Sequence, residues 1–287
     1  MPLSVLKDVR KIYAGLNAEQ IRARAGKDLR IGLMAQSEAG FAMLERFLAP
    51  AWLGENRAQV LQALQRINGD GGEQPFDFIL CEPGVPVPPG GHTLNVTDPS
   101  KTVNEIAAAH DTVELALART LPQFRQPVAH RIVQRVAREN ALFALVTALP
   151  NVLPSFIDVP WALGEFATDT AFLTMNQIRM ALMIAALNDR DTGYGEQKIQ
   201  IAAIVGGAFG WRALARELVG KIPLGGGLIP KAGIAFAGTW LVGMGLEKVN
   251  RTGVHLTFQE KKDTYSEGLG RGKQVARELT PVIVKRT

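Results

Sequence analysis

The sequence predicts a chain that is helical overall and divides in two. Residues 1–125 read as a small α/β domain with few parallel strands, and residues 126–287 as an all-helical domain. Three observations carry this expectation. Short apolar runs alternate with helix-period segments through the first 120 or so residues, and after Pro127 no segment requires a strand. Within residues 201–248, two runs (201–211 and 232–246) carry no charge and are rich in Gly and Ala. A surface helix keeps a charged face, so an apolar surround places such helices in a core or against lipid. At 287 residues the chain also stands at the upper limit of a single core.

Taken in order, residues 3–25 read as a lead helix, with Val5, Val9, Tyr13 and Leu16 at helical spacing and a break at Gly15. Residues 28–34 (DLRIGLM) look like a strand, 35–40 like a polar loop, and 41–48 like a helix with Phe41, Leu44 and Leu48 on one face. Residues 55–67 read as a second helix on Val60, Leu61, Leu64 and Ile67, closed by NGDGG. FDFILC at 76–81 is a buried strand, 82–91 a Pro/Gly loop, and 92–96 a further strand. A helix over 101–121 follows, with Asp98 or Ser100 as its N-cap.

In the second half a helix is expected over 128–149, with a bend at Pro150 and Pro154. Asp158 and Pro160 open the next, which runs to Leu187. Helices over 197–218, from Pro230 to Lys248, and over 258–279 complete a bundle of about five, with Gly225–Gly227 as a hinge and Pro281 as the final stop. On this reading residues 201–248 form a tight hairpin at the centre of the helical domain.

Composition narrows the chemistry. A single cysteine, Cys81, excludes an internal disulfide and a thiolate-rich metal site. His92, His110, His130 and His255 show no metal-ligand spacing, so no metal is expected. The N-terminus lacks the apolar core of a signal peptide, from which a cytoplasmic location is expected. The net charge of +5 is uneven: residues 251–287 hold eight Lys/Arg against four acids. Such a tail suits a solvated face or anionic lipid headgroups, and nucleic acid is not favoured.

The strand, loop and helix at 29–48 invite comparison with a phosphate-binding loop, GxxxxGK[ST]. That loop needs glycines so that amides can wrap the phosphates, a Lys to meet their charge, and a hydroxyl for Mg²⁺. Laid on the pattern, residues 35–42 (AQSEAGFA) retain Gly40 alone. Phe41 replaces the Lys, Ala42 replaces the hydroxyl, and Glu38 adds a negative charge. A carboxylate about 4 Å from a phosphate opposes binding by about 4 kcal/mol at an effective dielectric near 20. GTP and Mg²⁺ are therefore not expected as cofactors, no catalytic residue is assigned, and the reading leans away from an enzyme.

A lead helix, an LRIGLM strand, a P-loop position and a helical half together resemble the bacterial Era/dynamin-like GTPase proteins. Some of these carry a C-terminal helical domain of unknown function shared with YcjF-like inner-membrane proteins. The resemblance lies in FIDVPWALGEFATDTAFLTMNQIRMALMIAALND, ARELVGKIP and KAGIAFAGTWLVGMGLEKVNRTG, across about residues 126–253. It implies a GTPase-like fold whose nucleotide chemistry has decayed. The guanine-reading [NT]KxD motif of that family corresponds to NVTD at 95–98, which keeps Asn95 and Asp98 without the Lys; a helix cap explains Asp98 without any ligand and is the favoured reading. Gly40, Asn95 and Asp98 are thus the candidate nucleotide residues. GLGRG at 268–272 lacks the strand context of a dinucleotide loop.

The uncharged run 232–246 spans about 22 Å as a helix, short of the roughly 30 Å of a bilayer core. The arithmetic favours buried helices, or shallow or re-entrant insertion, over clean spans. Candidate contacts with a membrane or partner are Lys231, Trp240, Lys261, Lys262, Arg271, Lys273 and Arg277. The functional expectation is a non-catalytic adaptor or scaffold acting through a protein partner, self-association or an anionic membrane face. The alternatives are a residual GTP-binding protein or GTPase with an unorthodox phosphate loop, and a membrane-inserting envelope or stress-response component. The location is the cytoplasm, with peripheral association at the inner face of the membrane as the option.

Overall fold

The computed structural model describes residues 18–67, 75–147, 169–190 and 228–284. The described residues divide into two compact units, one of residues 19–129 with 186–190, the other of residue 18 and the described residues of 130–185 and 228–284. Most of the described chain is helical, with one small parallel sheet.

In the first unit, helix α1 (Ala18–Ala25) precedes strand β1 (Ile31–Met34). Helices α2 (Glu38–Leu48) and α3 (Asn56–Gln62) then lead into β2 (Leu64–Arg66). Strands β3 (Phe78–Cys81) and β4 (Gly91–Thr93) follow, then helices α4 (Pro99–Ala109) and α5 (Glu114–Thr120). The sheet order is β2-β1-β3-β4 and every pairing is parallel. Parallel strands are covered on both faces, so their sequences run apolar without alternation. Accordingly Ile31, Leu33, Phe78, Leu80 and Cys81 are all buried. Gly32 on β1 leaves room for the Ile67 side chain, whose Cδ1 a Cβ there would approach to 2.5 Å.

Two helices expected here are corrected. The helix expected over 55–67 stops at Gln62, and Leu64–Arg66 pair with β1 instead. Ile31 N–H donates to Ala63 O at 2.8 Å, and Ile67 N–H donates to Leu33 O at 2.8 Å, so the ladder takes the carbonyl and the amide that a continued helix would have paired with each other. Val60, Leu61, Leu64 and Ile67 suit either period locally, and the partner strand decides. The helix expected over 101–121 begins at Pro99 and breaks at His110 (φ −119°, ψ 55°), followed by a 3-10 turn and α5.

The second unit contains α6 (Arg125–Val146), α7 (Asp169–Leu187), α8 (Leu228–Thr252) and α9 (Phe258–Val284). Helix α6 starts earlier than expected and accepts Pro127 in its first turn, where a missing amide costs nothing. The expected stop at Pro281 fails: α9 continues to Val284, and near a helix end one lost amide bond is tolerated. The bend at Pro150 and Pro154, the start at Asp158, the helix at 197–218 and the hinge at Gly225–Gly227 lie outside the described residues.

Between Phe172 and Ala185 of α7, all but Leu173 and Arg179 are buried. Among the described residues, this helix rather than α8 is enclosed on all sides. A polar knot crosses the core beside it. Asn140 Nδ2 donates to Thr239 Oγ1 at 2.8 Å, Asn176 Nδ2 donates to Asn140 Oδ1 at 2.8 Å, and Thr239 Oγ1 donates to Ala235 O at 3.0 Å. With α6, α7 and α8 each contributing, these buried amides satisfy one another and tie the three helices to one register.

Helix α8 pairs with α9 as a hairpin. Glycine permits the approach: a Cβ on Gly272 would meet Phe236 Cβ at 2.6 Å and Gly233 Cα at 3.0 Å, and one on Gly268 would meet Ala237 Cα at 3.0 Å. The GLGRG segment is therefore a packing surface for α8. Tyr265 and Ala237 are fully buried in the same seam. Gly243, on α8, meets Val133 and Met180 of α6 and α7 in the same way. No described helix is long and apolar enough to cross a membrane.

The seam yields a comparison within one helix. Gly272→Ala forces α8 and α9 apart and is expected to destabilise by about 1–3 kcal/mol despite alanine's higher propensity. Gly270→Ala, with open space around its Cβ, is expected to stabilise by up to about 1 kcal/mol. Chemical denaturation of the two variants checks the sign difference.

Candidate functional site

In the strand order β2-β1-β3-β4, the chain leaves β1 towards one side of the sheet and continues from β3 towards the other. Ligands of open parallel sheets bind at the carboxyl ends of the strands flanking such a switch point. Here that crevice is bounded by residues 35–37 after β1 and Glu82 after β3.

The loop is shorter than expected, because α2 already begins at Glu38 with Ser37 as its N-cap. Ser37 Oγ accepts from Gly40 N–H at 3.0 Å. Glu82 N–H donates to Met34 O at 2.9 Å, continuing the ladder past Cys81. Its side chain turns back so that Oε2 accepts from Gln36 N–H at 2.9 Å. Gly40 lies beneath this carboxylate, and a Cβ there would meet Glu82 Cδ at 2.5 Å. The amide end of a helix attracts anions. At α2 the anion is the protein's own.

Glu38 does not sit in the loop. It stands in the first turn of α2, where its Oε2 accepts from Arg66 at 2.8 Å. Arg66 also reaches Glu45 at 2.9 Å and lies 5.0 Å above the Phe41 ring. The two carboxylates raise the Arg66 pKa, Glu38 most strongly.

Asn95 and Asp98 form a local cap. Asn95 Oδ1 accepts from Asp98 N–H at 2.9 Å and from Thr97 Oγ1 at 2.8 Å, while Asn95 N–H donates to Thr102 Oγ1 at 2.8 Å. Asp98 holds the N-cap position of α4 but makes no side-chain cap bond, so Asn95 rather than Asp98 supplies the oxygen. The Asn95 side chain is thus spent within its own turn. The sheet separates these residues from Gly40 by the width of β3.

One association is invisible in residue spacing. His92 on β4 and His110 at the end of α4 approach at 2.8 Å, Nε2 to Nε2, with rings 5.1 Å apart and Phe78 packed against both. Burial lowers both pKa values, and each ring has one acidic neighbour opposing the effect, Glu105 for His92 and Asp77 for His110. The bond needs one ring to donate and the other to accept, so it exists with neutral imidazoles and is lost when both charge. Burial pushes the Cys81 thiol up and leaves it a poor nucleophile. Among the described residues no three His, Cys, Asp or Glu side chains are grouped to hold a metal.

At the amino end of the sheet lies a polar cavity of about 550 Å³ whose lining includes Lys27, Arg119, Arg125 and Asp189. Its cations are already engaged. Arg119 Nε donates to Asp189 Oδ1 at 2.7 Å, Lys27 Nζ donates to Asp77 Oδ1 at 2.6 Å, and Arg125 donates to the Ala118 and Arg119 carbonyls that end α5. Burial lowers the Arg125 pKa, with Asp189 opposing it.

The seven candidate contact residues do not form one patch. Trp240 is only 4% exposed, stacked near Phe236 and covered by Arg271 at 4.7 Å, so it is core. Arg271 is also paired with Glu267 at 2.8 Å. Lys273 is half-buried beside Gly233. Lys231, Lys261, Lys262 and Arg277 are exposed, with Lys261 and Lys262 near the α8–α9 turn and Lys231 and Arg277 far from it along the hairpin. No protein family, curated protein or solved structure matches the chain.

Two expectations follow. Gly40→Ala displaces the Glu82 carboxylate, and this loss offsets the propensity gain, so the single substitution should change stability little. In a Glu82→Ala background the same change should stabilise by up to about 1 kcal/mol. A double-mutant cycle in urea measures the coupling, and additivity would contradict the placement of Glu82. For the histidines, folded pKa values below the unfolded value of about 6.5 mean that the folded state binds fewer protons there. Their contribution is therefore full above about pH 6.5 and is lost as pH falls below it. His92→Gln should flatten the decline in denaturation midpoint between neutral and mildly acidic pH relative to the unsubstituted protein.

Proposed function

We propose that the protein is a non-catalytic adaptor or scaffold. Its α/β unit follows the plan of a GTPase-like nucleotide module whose chemistry has decayed, and its helical unit makes the associations. One observation carries this reading: the Glu82 carboxylate sits against the amide end of α2, where a phosphate would have to bind. Phosphate would have to displace that carboxylate or lie beside it. Two such anions about 4 Å apart repel by about 4 kcal/mol at an effective dielectric near 20. Phe41 and Ala42 add no compensating cation or metal-binding hydroxyl, and Arg66, the nearby cation, is occupied by Glu38 and Glu45.

Calorimetric titration with GTP, GDP and ATP in the presence of Mg²⁺ tests the reading. The expected outcome is no saturable binding at concentrations up to about 1 mM. Mg²⁺-dependent binding tighter than about 10 μM would sink it, because that affinity requires about 7 kcal/mol from a site arranged to repel phosphate.

A further inference from the structure

The turn joining α8 to α9 carries apolar side chains held in solvent by a rigid frame. Phe258 is 75% exposed, the highest among the large hydrophobic residues described, and Val254 is 57% exposed. Isolated surface apolar residues are ordinary. These two stand four residues apart around one turn.

The frame comes from caps on both helices. Gly253, at φ +74°, ends α8 with its N–H donating to Val249 O at 2.8 Å. Thr252 Oγ1 donates to Lys248 O at 2.8 Å and accepts from Val254 N–H at 3.2 Å. The TFQE segment at 257–260 forms a capping box: Thr257 Oγ1 accepts from Glu260 N–H at 3.3 Å, and Glu260 Oε2 accepts from Thr257 N–H at 2.8 Å. Lys248 then clamps Glu260 at 2.6 Å across the turn. The ammonium and the Thr257 bonds hold the Glu260 carboxyl down at about 2, so the clamp persists at any physiological pH.

The charges around the tip are sorted. Glu260 is taken by Lys248, and Glu247 by Arg251 at 2.6 Å. Asp263 accepts from the neutral Gln259 amide at 2.8 Å and keeps its charge, which offsets one of the two lysines beside it. Lys261 and Lys262, on the first turn of α9 beside Phe258, are exposed and have no carboxylate partner among the described residues. An apolar tip with a basic collar remains.

We infer that the α8–α9 turn is a membrane-docking tip, with Phe258 and Val254 entering the headgroup boundary of an anionic bilayer and Lys261 and Lys262 contacting its phosphates. Two side chains offer far less than the roughly 1,000 Å² of buried area that a stable protein interface requires. Shallow insertion needs only a small apolar wedge plus cations at headgroup level. The caps already hold the turn in one conformation, so little ordering entropy is lost on docking. This inference rests on the adaptor reading by naming what the helical unit binds.

Flotation of the full chain tests it, with vesicles of phosphatidylcholine alone and with about 30 mol% phosphatidylglycerol added. The protein should float with the anionic vesicles at low salt and be released near 0.5 M salt, where the screening length is only about 4 Å. The double substitution Val254→Ser/Phe258→Ser should weaken partitioning roughly tenfold or more. Lys261→Ala/Lys262→Ala should weaken it by a similar factor. All four side chains are exposed, so unchanged circular dichroism and melting confirm folding of the variants. Failure to float with anionic vesicles at low salt would overturn the inference, as would flotation indifferent to both variants. So would an oligomer that dissociates only in the Val254/Phe258 variant, since a second copy would then occupy the tip. Nucleotide titration is independent of every arm, so loss of the adaptor reading and loss of the tip are separately visible.

Discussion

The first amides of α2 have no partner within the helix, and the chain meets them and the loop before them with its own side chains. Ser37 takes one, that of Gly40, with its hydroxyl, and Glu82 reaches across from the end of β3 to take the amide of Gln36, one residue ahead of the cap. Parallel pairing of β1 with β3 brings the two strand ends together, so the residue after Cys81 necessarily arrives beside the loop after Met34. That residue is a glutamate, and its carboxylate lies against Gly40. Satisfying the helix start and the loop before it thus places a carboxylate in the crevice.

The helical unit answers a different demand, for close contact between apolar helices. Glycine at 233, 268 and 272 lets α8 and α9 approach until backbone meets backbone, and Gly243 makes room for the Val133 and Met180 side chains of α6 and α7. The cost is specificity, since smooth apolar surfaces slide. Asn140, Asn176, Gln177 and Thr239 supply it by exchanging hydrogen bonds in the core, which locks the helices in register. At the end of the hairpin, capping consumes the polar groups of the turn and leaves Val254 and Phe258 facing water. Stability and display have one origin there.

Much of this was legible beforehand. Phe41, Leu44 and Leu48 marked α2, and FILC marked β3, because continuous apolar runs and helical spacing reflect burial directly. The missing Lys and hydroxyl after Gly40 already argued against a phosphate loop. The carboxylate that fills the site was not legible, because Glu82 is 46 residues from Gln36 and only the β1–β3 pairing makes them neighbours. His92 and His110 were hidden likewise, separated by 18 residues and joined by the break between α4 and α5.

The sequence alone determined where apolar surface must be buried, which segments could be helices, and that Gly and Ala would bring helices close. Only the tertiary structure decided the competitions. Leu64–Arg66 became a strand because β1 offered a ladder. Trp240 went inward because Gly268 left room for it. Pro281 did not stop α9. In each case the local preference is weak, about 1 kcal/mol or less for a strand or helix choice, and contacts from distant residues exceed it. Periodicity records burial, whereas partner identity depends on which surfaces meet.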